Sequence, residues 1–138
     1  NLMIDTLLEK SFGELEERGI ILEAVLTPVR FSKAVEDDIV VIQEEMFKYA
    51  RRFYDGCDSV RYSIRVRNNI LFLIIELGLK NEDIYRKQRL IDYVGDKMIF
   101  RQVFHQTYSL INANNGGIYY DLGKKDIAVG VMMDRKDY

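Results

Sequence analysis

The alternation of apolar and polar residues is clearest between residues 39 and 78. From residue 39 to residue 53, apolar side chains recur at every third or fourth position, which predicts an amphipathic helix. These side chains are Ile39, Ile42, Met46, Ala50 and Phe53. Asp37 and Asp38 are placed at the start of this helix, where negative charge suits the helix dipole.

A β-hairpin is predicted to follow this helix. Residues 60–66 alternate between two faces, which are Val60, Tyr62, Ile64 and Val66 on one side and Arg61, Ser63 and Arg65 on the other. Residues 70–75 are apolar throughout, which is typical of a central strand. Asn68 and Asn69 tolerate positive φ and suit a tight turn between the two strands.

The first part of the chain predicts a helix and then a strand. Residues 2–18 form the helix, and its apolar stripe consists of Ile4, Leu8, Phe12 and Leu15, widened by Leu7. Gly19 suits the position just after the helix end. Residues 20–27 are predicted to form a strand that Pro28 ends. Ser32 is expected to cap a short turn in the polar segment before the central helix.

The last part of the chain predicts one helix and a second hairpin. Residues 79–96 are charged and interrupted, which indicates a short helix or a loop. A long helix is predicted from about residue 97 to residue 114, ended by the run NNGG. Its apolar face consists of Phe100, Val103, Phe104, Tyr108 and Ile111. Two strands, GIYYDL and IAVGVMM, are expected to pair across residues 123–126.

The order of these elements favours an α+β fold. Helices and strands are interleaved, and two hairpins join neighbouring strands. A two-layer α/β sandwich satisfies this order with short connections, with a mixed, mostly antiparallel sheet and the helices on one face. The length of 138 residues suits a single domain, residues 1–138, with one hydrophobic core.

Composition narrows the classes of function. The formal net charge of −2 gives no basis for binding nucleic acid or an anionic membrane. The longest apolar run is too short to cross a bilayer, so no membrane contact by this segment is expected. The single Cys57 cannot form an internal disulfide, which favours a cytoplasmic setting. The chain starts inside a helical pattern without an initiator Met, so we expect it to be a piece of a longer protein. That longer protein could carry a membrane anchor outside this piece.

Several short runs carry a resemblance to a known family. They are the opening helix that ends in ERGIIL, residues 45–50 (EMFKYA), residues 76–78 (ELG) and residues 116–119 (GGIY). Together with the element order, they resemble the nucleotide-binding domain of GHKL ATPases, the Bergerat fold. The variety that is most similar is the catalytic domain of sensor histidine kinases of the quorum-sensing and citrate-sensing type. The resemblance covers nearly the whole chain.

The resemblance implies an ATP site with a role for four residues. Glu45 matches a catalytic residue that orients or deprotonates the attacking group. Tyr49 takes the place of an asparagine that holds Mg²⁺, and a neutral phenol is a poor ligand for such a hard ion. Glu76 takes the place of an aspartate that binds the adenine amino group, and Gly78 matches the glycine that lets the base approach closely.

The phosphate half of the family's site is altered as well. A second glycine-rich motif at the start of the last helix normally offers backbone N–H groups to the phosphates. Nothing similar occurs near residues 105–108, and residues 95–98 (GDKM) are only a partial match. The resemblance therefore implies a degenerate site, in which loss of the asparagine and of the glycine motif removes both metal and anion binding.

Each candidate residue also has an ordinary structural interpretation. Glu45 also fits a solvated glutamate on a helix surface, which is the norm for this residue type. Tyr49 would then simply pack against the sheet, and Glu76 would be a strand-end carboxylate that faces water. His105 lies on the polar side of its helix, without partners for a catalytic triad.

Two functions follow from the resemblance. The first is the ATP-binding catalytic-type domain of a bacterial two-component sensor histidine kinase, weak or inactive, with ATP and Mg²⁺ as cofactors. Its protein partners would be the dimerisation and phosphoacceptor helices or a response regulator. The alternative is a degenerate domain, of the pseudokinase or phosphotransferase type, that acts as a protein-interaction module without ATP turnover. An unrelated α/β binding module is a third possibility, since a fold does not fix function.

Overall fold

The computed structural model of the protein describes residues 1–80, 97–123 and 126–138. The helices are α1 (Leu2–Glu17), α2 (Lys33–Ala50), a 3₁₀ turn (Arg51–Gly56), α3 (Lys97–Val103) and α4 (His105–Ala113). The strands are β1 (Ile21–Leu26), β2 (Cys57–Arg67), β3 (Ile70–Leu79), β4 (Gly117–Leu122) and β5 (Asp126–Asp134). The loop or short helix was predicted over residues 79–96; Leu79 ends β3 instead, and residues 81–96 lie outside the described residues.

The five strands form one mixed sheet in the order β1-β2-β3-β5-β4. β1 runs parallel to β2, and each of the other neighbouring pairs is antiparallel. β3 is the central strand, as its continuous apolar sequence predicts. The predicted α+β, two-layer architecture is confirmed.

The helices cover one face of this sheet. Along β3, every second side chain, from Leu71 to Leu77, is buried beneath the helices, and the residues between them are only half-buried. Ile21, Val25, Tyr119 and Met132 on the neighbouring strands are exposed on the other face. The core therefore lies between the helix layer and one side of the sheet.

The first helix matches its prediction except at one position. Gly19 adopts a positive φ of 72°, and the N–H of Ile20 bonds back to the carbonyl of Leu15, which ends the helix. Phe12, predicted to belong to the apolar stripe, is 41% exposed. At about 100° per residue, Phe12 lies about 80° around the helix from Ile4, at the margin of the stripe.

The second helix begins earlier than its prediction. It starts at Lys33, where the Ser32 hydroxyl accepts a hydrogen bond from the N–H of Val35. The predicted start beside Asp37 and Asp38 is therefore wrong, because Val35 extends the buried stripe by one more turn. All five stripe residues predicted for this helix are buried, although the last of them, Phe53, lies in the 3₁₀ turn.

The first hairpin is confirmed in its register and in its turn. Arg67 pairs with Ile70, so that two residues, Asn68 and Asn69, form the turn. Their φ angles are 51° and 65°. This is the left-handed conformation that a tight hairpin turn requires and that asparagine tolerates better than most residues. β4 and β5 also pair as predicted, although residues 124 and 125 of their connection lie outside the described residues.

The long helix predicted over residues 97–114 is two helices, so that prediction is wrong. α3 ends at Val103 and α4 begins at His105, with Phe104 between them at φ −96° and ψ 26°. In an unbroken helix the N–H groups of Gln106 and Thr107 would bond to carbonyls four residues back. Here both donate to a carboxylate on α2, so the chain bends at Phe104.

Both ends of the chain are held near the start of α2. The side-chain oxygen of Asn1 accepts a hydrogen bond of 2.9 Å from the N–H of Phe31. The hydroxyl of Ser32 donates to the carbonyl of Asp137 at 3.2 Å. The guanidinium of Arg135, 6% exposed, pairs with Asp38 of α2 as well as with Asp137. None of the described helices is long and apolar enough to cross a membrane.

Candidate functional site

The predicted catalytic residue, Glu45, lies on the inner side of α2. It is only 6% exposed, whereas its neighbour Glu44 faces water. The interpretation of Glu45 as a solvated surface residue is therefore wrong. A buried carboxylate is costly unless hydrogen-bond donors surround it, and the donors here come from α4.

Four groups on the first turn of α4 point at this carboxylate. Oε1 of Glu45 accepts from the backbone N–H of Thr107 at 2.7 Å and from the Thr107 hydroxyl at 2.6 Å. Oε2 accepts from the N–H of Gln106 at 3.3 Å, and Nδ1 of His105 lies 3.3 Å from the same oxygen. Glu45 therefore caps α4 from another helix, in place of a side-chain cap at Phe104.

Tyr49, one turn further along α2, is fully buried. Among the described residues, its ring contacts those of Phe53, Phe100 and Phe104, at centroid distances of 5.2 to 5.3 Å. Such tilted and edge-to-face contacts stabilise a core beyond their burial. Tyr49 is therefore a buried packing residue, but the rings that it contacts lie on the 3₁₀ turn, on α3 and just before α4, and not on the sheet against which it was predicted to pack. These rings form an aromatic cluster between α2 and the α3–α4 pair.

This part of the site does not fit a magnesium ion. Mg²⁺ requires several oxygen ligands, commonly including one or two carboxylates. Glu45 already accepts three hydrogen bonds from α4 and lies against His105, and Tyr49 lies among aromatic rings. Among the described residues, no group of three or more His, Cys, Asp or Glu side chains is arranged to hold a metal ion.

Glu76 is not brought together with Glu45. It occupies the same face of β3 as the half-buried Ile74, whereas the side chains of Ile75 and Leu77 point toward the helices. Its neighbours across the sheet are Arg61 and Ala128. Glu76 thus lies on the helix-free face, and its role in base binding stays a prediction.

Gly78 lies near the end of β3, beside the irregular start of β2. A Cβ placed on Gly78 would come within 2.2 Å of the hydroxyl oxygen of Ser59, so a larger residue would force a shift there. Packing against β2 is sufficient to account for a glycine at this position. Its assignment to close approach by a base also stays a prediction.

No pattern along the chain pointed to Thr107 as part of this site. Thr107 is fully buried, and its hydroxyl and its backbone N–H are two of the three hydrogen-bond donors to Glu45. The contact joins residues 62 positions apart, so no local spacing could reveal it. The burial of Gln43, which bonds to Tyr62 and to the carbonyl of Ile4, is likewise a tertiary effect.

No protein-family profile matches the sequence, and no curated protein is significantly similar to it. Solved structures do match. Histidine kinase AdeS of Acinetobacter baumannii has a TM-score of 0.64 at 17% identity, over 98% of this chain and 64% of that one. The nucleotide-free catalytic domain of histidine kinase ThkA has a TM-score of 0.62 at 8% identity, over 98% and 91%.

The third comparison is a histidine kinase domain from the blue-light activated histidine kinase EL346 of Erythrobacter litoralis. Its TM-score is 0.55 at 12% identity, over 84% of this chain and 52% of that one. This chain has the fold of a histidine kinase catalytic domain. The fold implied by the sequence resemblance is thereby confirmed, and the chain spans 64% of the AdeS chain.

Proposed function

We propose that this chain is the ATP-binding catalytic-type domain of a two-component sensor histidine kinase, with weak or absent phosphotransfer. The observation that carries the proposal is the match to the ThkA catalytic domain, which spans 98% of this chain and 91% of that domain. A fold match of this extent supports the same type of domain. Its activity depends on the site residues, because a fold hosts many functions.

The contacts of Glu45 support weak rather than full activity. A general base must present a free lone pair to the proton that it removes. The carboxylate of Glu45 already accepts three hydrogen bonds from α4 and lies against His105. A catalytic role would require α4 to move away from α2. Mg²⁺ is not assigned to these residues.

The proposal places the domain in the cytoplasm, beside the helices that dimerise and carry the phosphoacceptor histidine, or beside a response regulator. ATP would be its small-molecule ligand. Glu76 and Gly78 are proposed as base-binding residues, although they lie at a distance from Glu45 and on or near the opposite face of the sheet.

The test is a calorimetric titration of the chain with ATP, ADP and adenosine, each with and without Mg²⁺. We expect binding that depends on the adenine and that is insensitive to Mg²⁺. A ligand present at a hundredfold excess over its Kd stabilises the fold by about 2.7 kcal/mol, so a thermal shift provides a second readout. Absence of binding by all three ligands at millimolar concentration would contradict the proposal.

A second candidate is a protein-interaction module without nucleotide turnover. The observation that favours it is the aromatic cluster around Tyr49, at the position where the family has its magnesium ligand. This candidate predicts that the chain associates with the dimerisation helices of a kinase, and that ATP does not change the affinity. The same titrations, repeated with those helices present, separate the two functions.

A further inference from the structure

The helix-free face of the sheet carries a group of neighbouring apolar side chains. Val25, Tyr119 and Met132 are exposed on this face, and Phe72 and Ile74 of β3 are half-buried between them. The register of the strands places Val25, Ile74 and Tyr119 in one row across the sheet, with Phe72 and Met132 in the next row. Exposed apolar patches of this kind are typical of interaction sites. This face is therefore a candidate docking surface, and its charges indicate the partner.

One end of the helix-free face is acidic. Glu76 and Asp121 lie in the same row of the sheet, on either side of Ala128 of β5. The ring of Tyr119 lies over Gly130, where an added Cβ would overlap it. Burial, followed by the charges of Glu76 and Asp121, raises the pKa of the Tyr119 hydroxyl. The two carboxylates therefore border the apolar side chains on the side of Tyr119.

The other end of the face is basic. Arg65 and Arg67 are exposed on β2, and Arg65 lies opposite Phe72 of β3. Ile74 lies midway along β3 between Phe72 and Glu76, whose Cα atoms are about 14 Å apart at about 3.4 Å per residue. β2 and β4 also lie on different sides of β3. The basic and acidic ends are therefore diagonally opposite each other, with Ile74 near the centre.

The four charged groups at these two ends form no ion pair within the part of the chain that the structure describes. Other charged groups of the same face do have partners. Arg61, opposite Glu76, pairs with Glu23 of β1 at 3.2 Å, and Asp134 accepts a hydrogen bond from Asn115. The charges at the two ends are thus available to a group on another molecule.

We propose that the helix-free face associates with the same face of a second copy of this chain. A partner with charges of one sign would be repelled at one end, whereas a second copy supplies both signs in the reverse order. In a two-fold symmetric dimer, each contact between two positions occurs twice. An axis near Ile74 would place Arg65 and Arg67 of each copy against Glu76 and Asp121 of the other. The apolar side chains would form the centre and the charges the rim, as is usual in protein interfaces.

The experiment measures association of the 138-residue chain by sedimentation velocity, from micromolar to millimolar concentration. Arg65→Glu makes the basic end acidic, and Asp121→Arg makes the acidic end basic. The two variants are measured separately and as an equimolar mixture. Lys10→Glu and Glu17→Arg make the same changes of charge on the exposed surface of α1 and are the matched controls. Glu76 is left unaltered, because it is a proposed base-binding residue.

We expect the unaltered chain to dimerise within this range of concentration. Each of the two face variants alone should associate at least about tenfold more weakly, because like charges then oppose each other in both contacts. The mixture should associate as tightly as the unaltered chain, because each contact again joins opposite charges. The α1 controls should have no effect. Both altered positions of the face are exposed, so the variants should fold, and circular dichroism checks this.

Three results would overturn the inference. One is an unaltered chain that stays monomeric at millimolar concentration, which would leave this face to a different protein. Another is association that the face variants and the α1 controls weaken equally. The third is a mixture that associates no more tightly than its separate components, because then the two ends do not meet. The inference goes beyond nucleotide binding, and none of these results decides whether the chain binds ATP.

Discussion

The backbone nitrogen of Thr107 lies 2.7 Å from Oε1 of Glu45, and this hydrogen bond joins the middle of α2 to the first turn of α4. The residues are 62 positions apart. A helix normally obtains its N-terminal cap from a residue that directly precedes it. Here the cap comes from a different helix, so that the orientation of α4 and the burial of Glu45 depend on each other.

Removal of the Glu45 carboxylate should therefore destabilise the fold. We expect Glu45→Ala to lower the free energy of unfolding by about 2–3 kcal/mol, because hydrogen bonds to a charged group are lost and buried donors are left without an acceptor. Urea unfolding followed by circular dichroism measures the change. Glu44→Ala is the control, and as a surface substitution it should change stability by less than about 0.5 kcal/mol. Equal effects at the two positions would contradict the assigned contact.

Restoring the family's asparagine at position 49 should not restore metal binding. We expect Tyr49→Asn to cost about 3–5 kcal/mol, the range for truncation of a buried aromatic residue, because three rings lose a neighbour. Tyr120→Ala is a suitable comparison, because Tyr120 is 48% exposed, and it should cost much less. The measurements are urea unfolding and ATP titration with Mg²⁺. Tight, Mg²⁺-dependent ATP binding by Tyr49→Asn would show that the aromatic ring alone blocks the site.

The ion pair between Arg135 and Asp137 should stabilise the fold at neutral pH and lose this contribution in acid. Hydrogen bonding to Arg135 lowers the pKa of Asp137 below its ordinary value of 3.8. A carboxylate whose pKa is lower in the folded state stabilises the fold above the unfolded pKa, and the contribution is lost as the pH falls through the folded pKa. We therefore expect the difference in stability between the unaltered chain and Arg135→Gln to be constant above about pH 5 and to shrink below pH 3.8.

The measurement is urea unfolding of both proteins at several pH values between 2.5 and 7, with the difference taken at each pH so that shared titrations cancel. Arg135→Lys separates charge from geometry, because an ammonium keeps the charge but lacks the planar fork that donates to both carboxylate oxygens of Asp137. A difference that is independent of pH would contradict the role of Asp137.

The single cysteine should report on unfolding. Burial, followed by the charge of Asp58, raises the pKa of Cys57 from 9.0 to about 12. Because the thiolate is the reactive form, ionisation alone should slow the reaction of the native thiol about 1,000-fold near pH 8. We expect slow modification by a disulfide reagent in buffer and fast modification in urea. Rapid reaction of the native protein would show that Cys57 is accessible.

Local signals in the sequence were sufficient for most of the fold. The turn at Asn68 and Asn69, the continuous apolar run of β3 and the glycine after α1 each determine structure within a few residues. The early start of α2 also had a local signal, since Ser32 can cap a helix and Val35 continues its stripe. The exposure of Phe12 was also predictable, because its angle around α1 places it at the margin of the apolar stripe.

The candidate site was less predictable, because its determining contacts join distant parts of the chain. The break between α3 and α4 depends on where the amide groups of Gln106 and Thr107 find an acceptor, and that acceptor lies on α2. The face of β3 to which Glu76 belongs depends on the register of the sheet. Both facts require the assembled core, although the family resemblance identified the overall fold.

The contacts of Asn1 with Phe31 and of Asp137 with Ser32 bring residues 1 and 137 to the same place at the start of α2. A designed linker from residue 138 to residue 1 would turn this segment into a ring. A circular chain gains less conformational entropy on unfolding than an open chain does, which favours the folded state. The domain is therefore a natural candidate for backbone cyclisation.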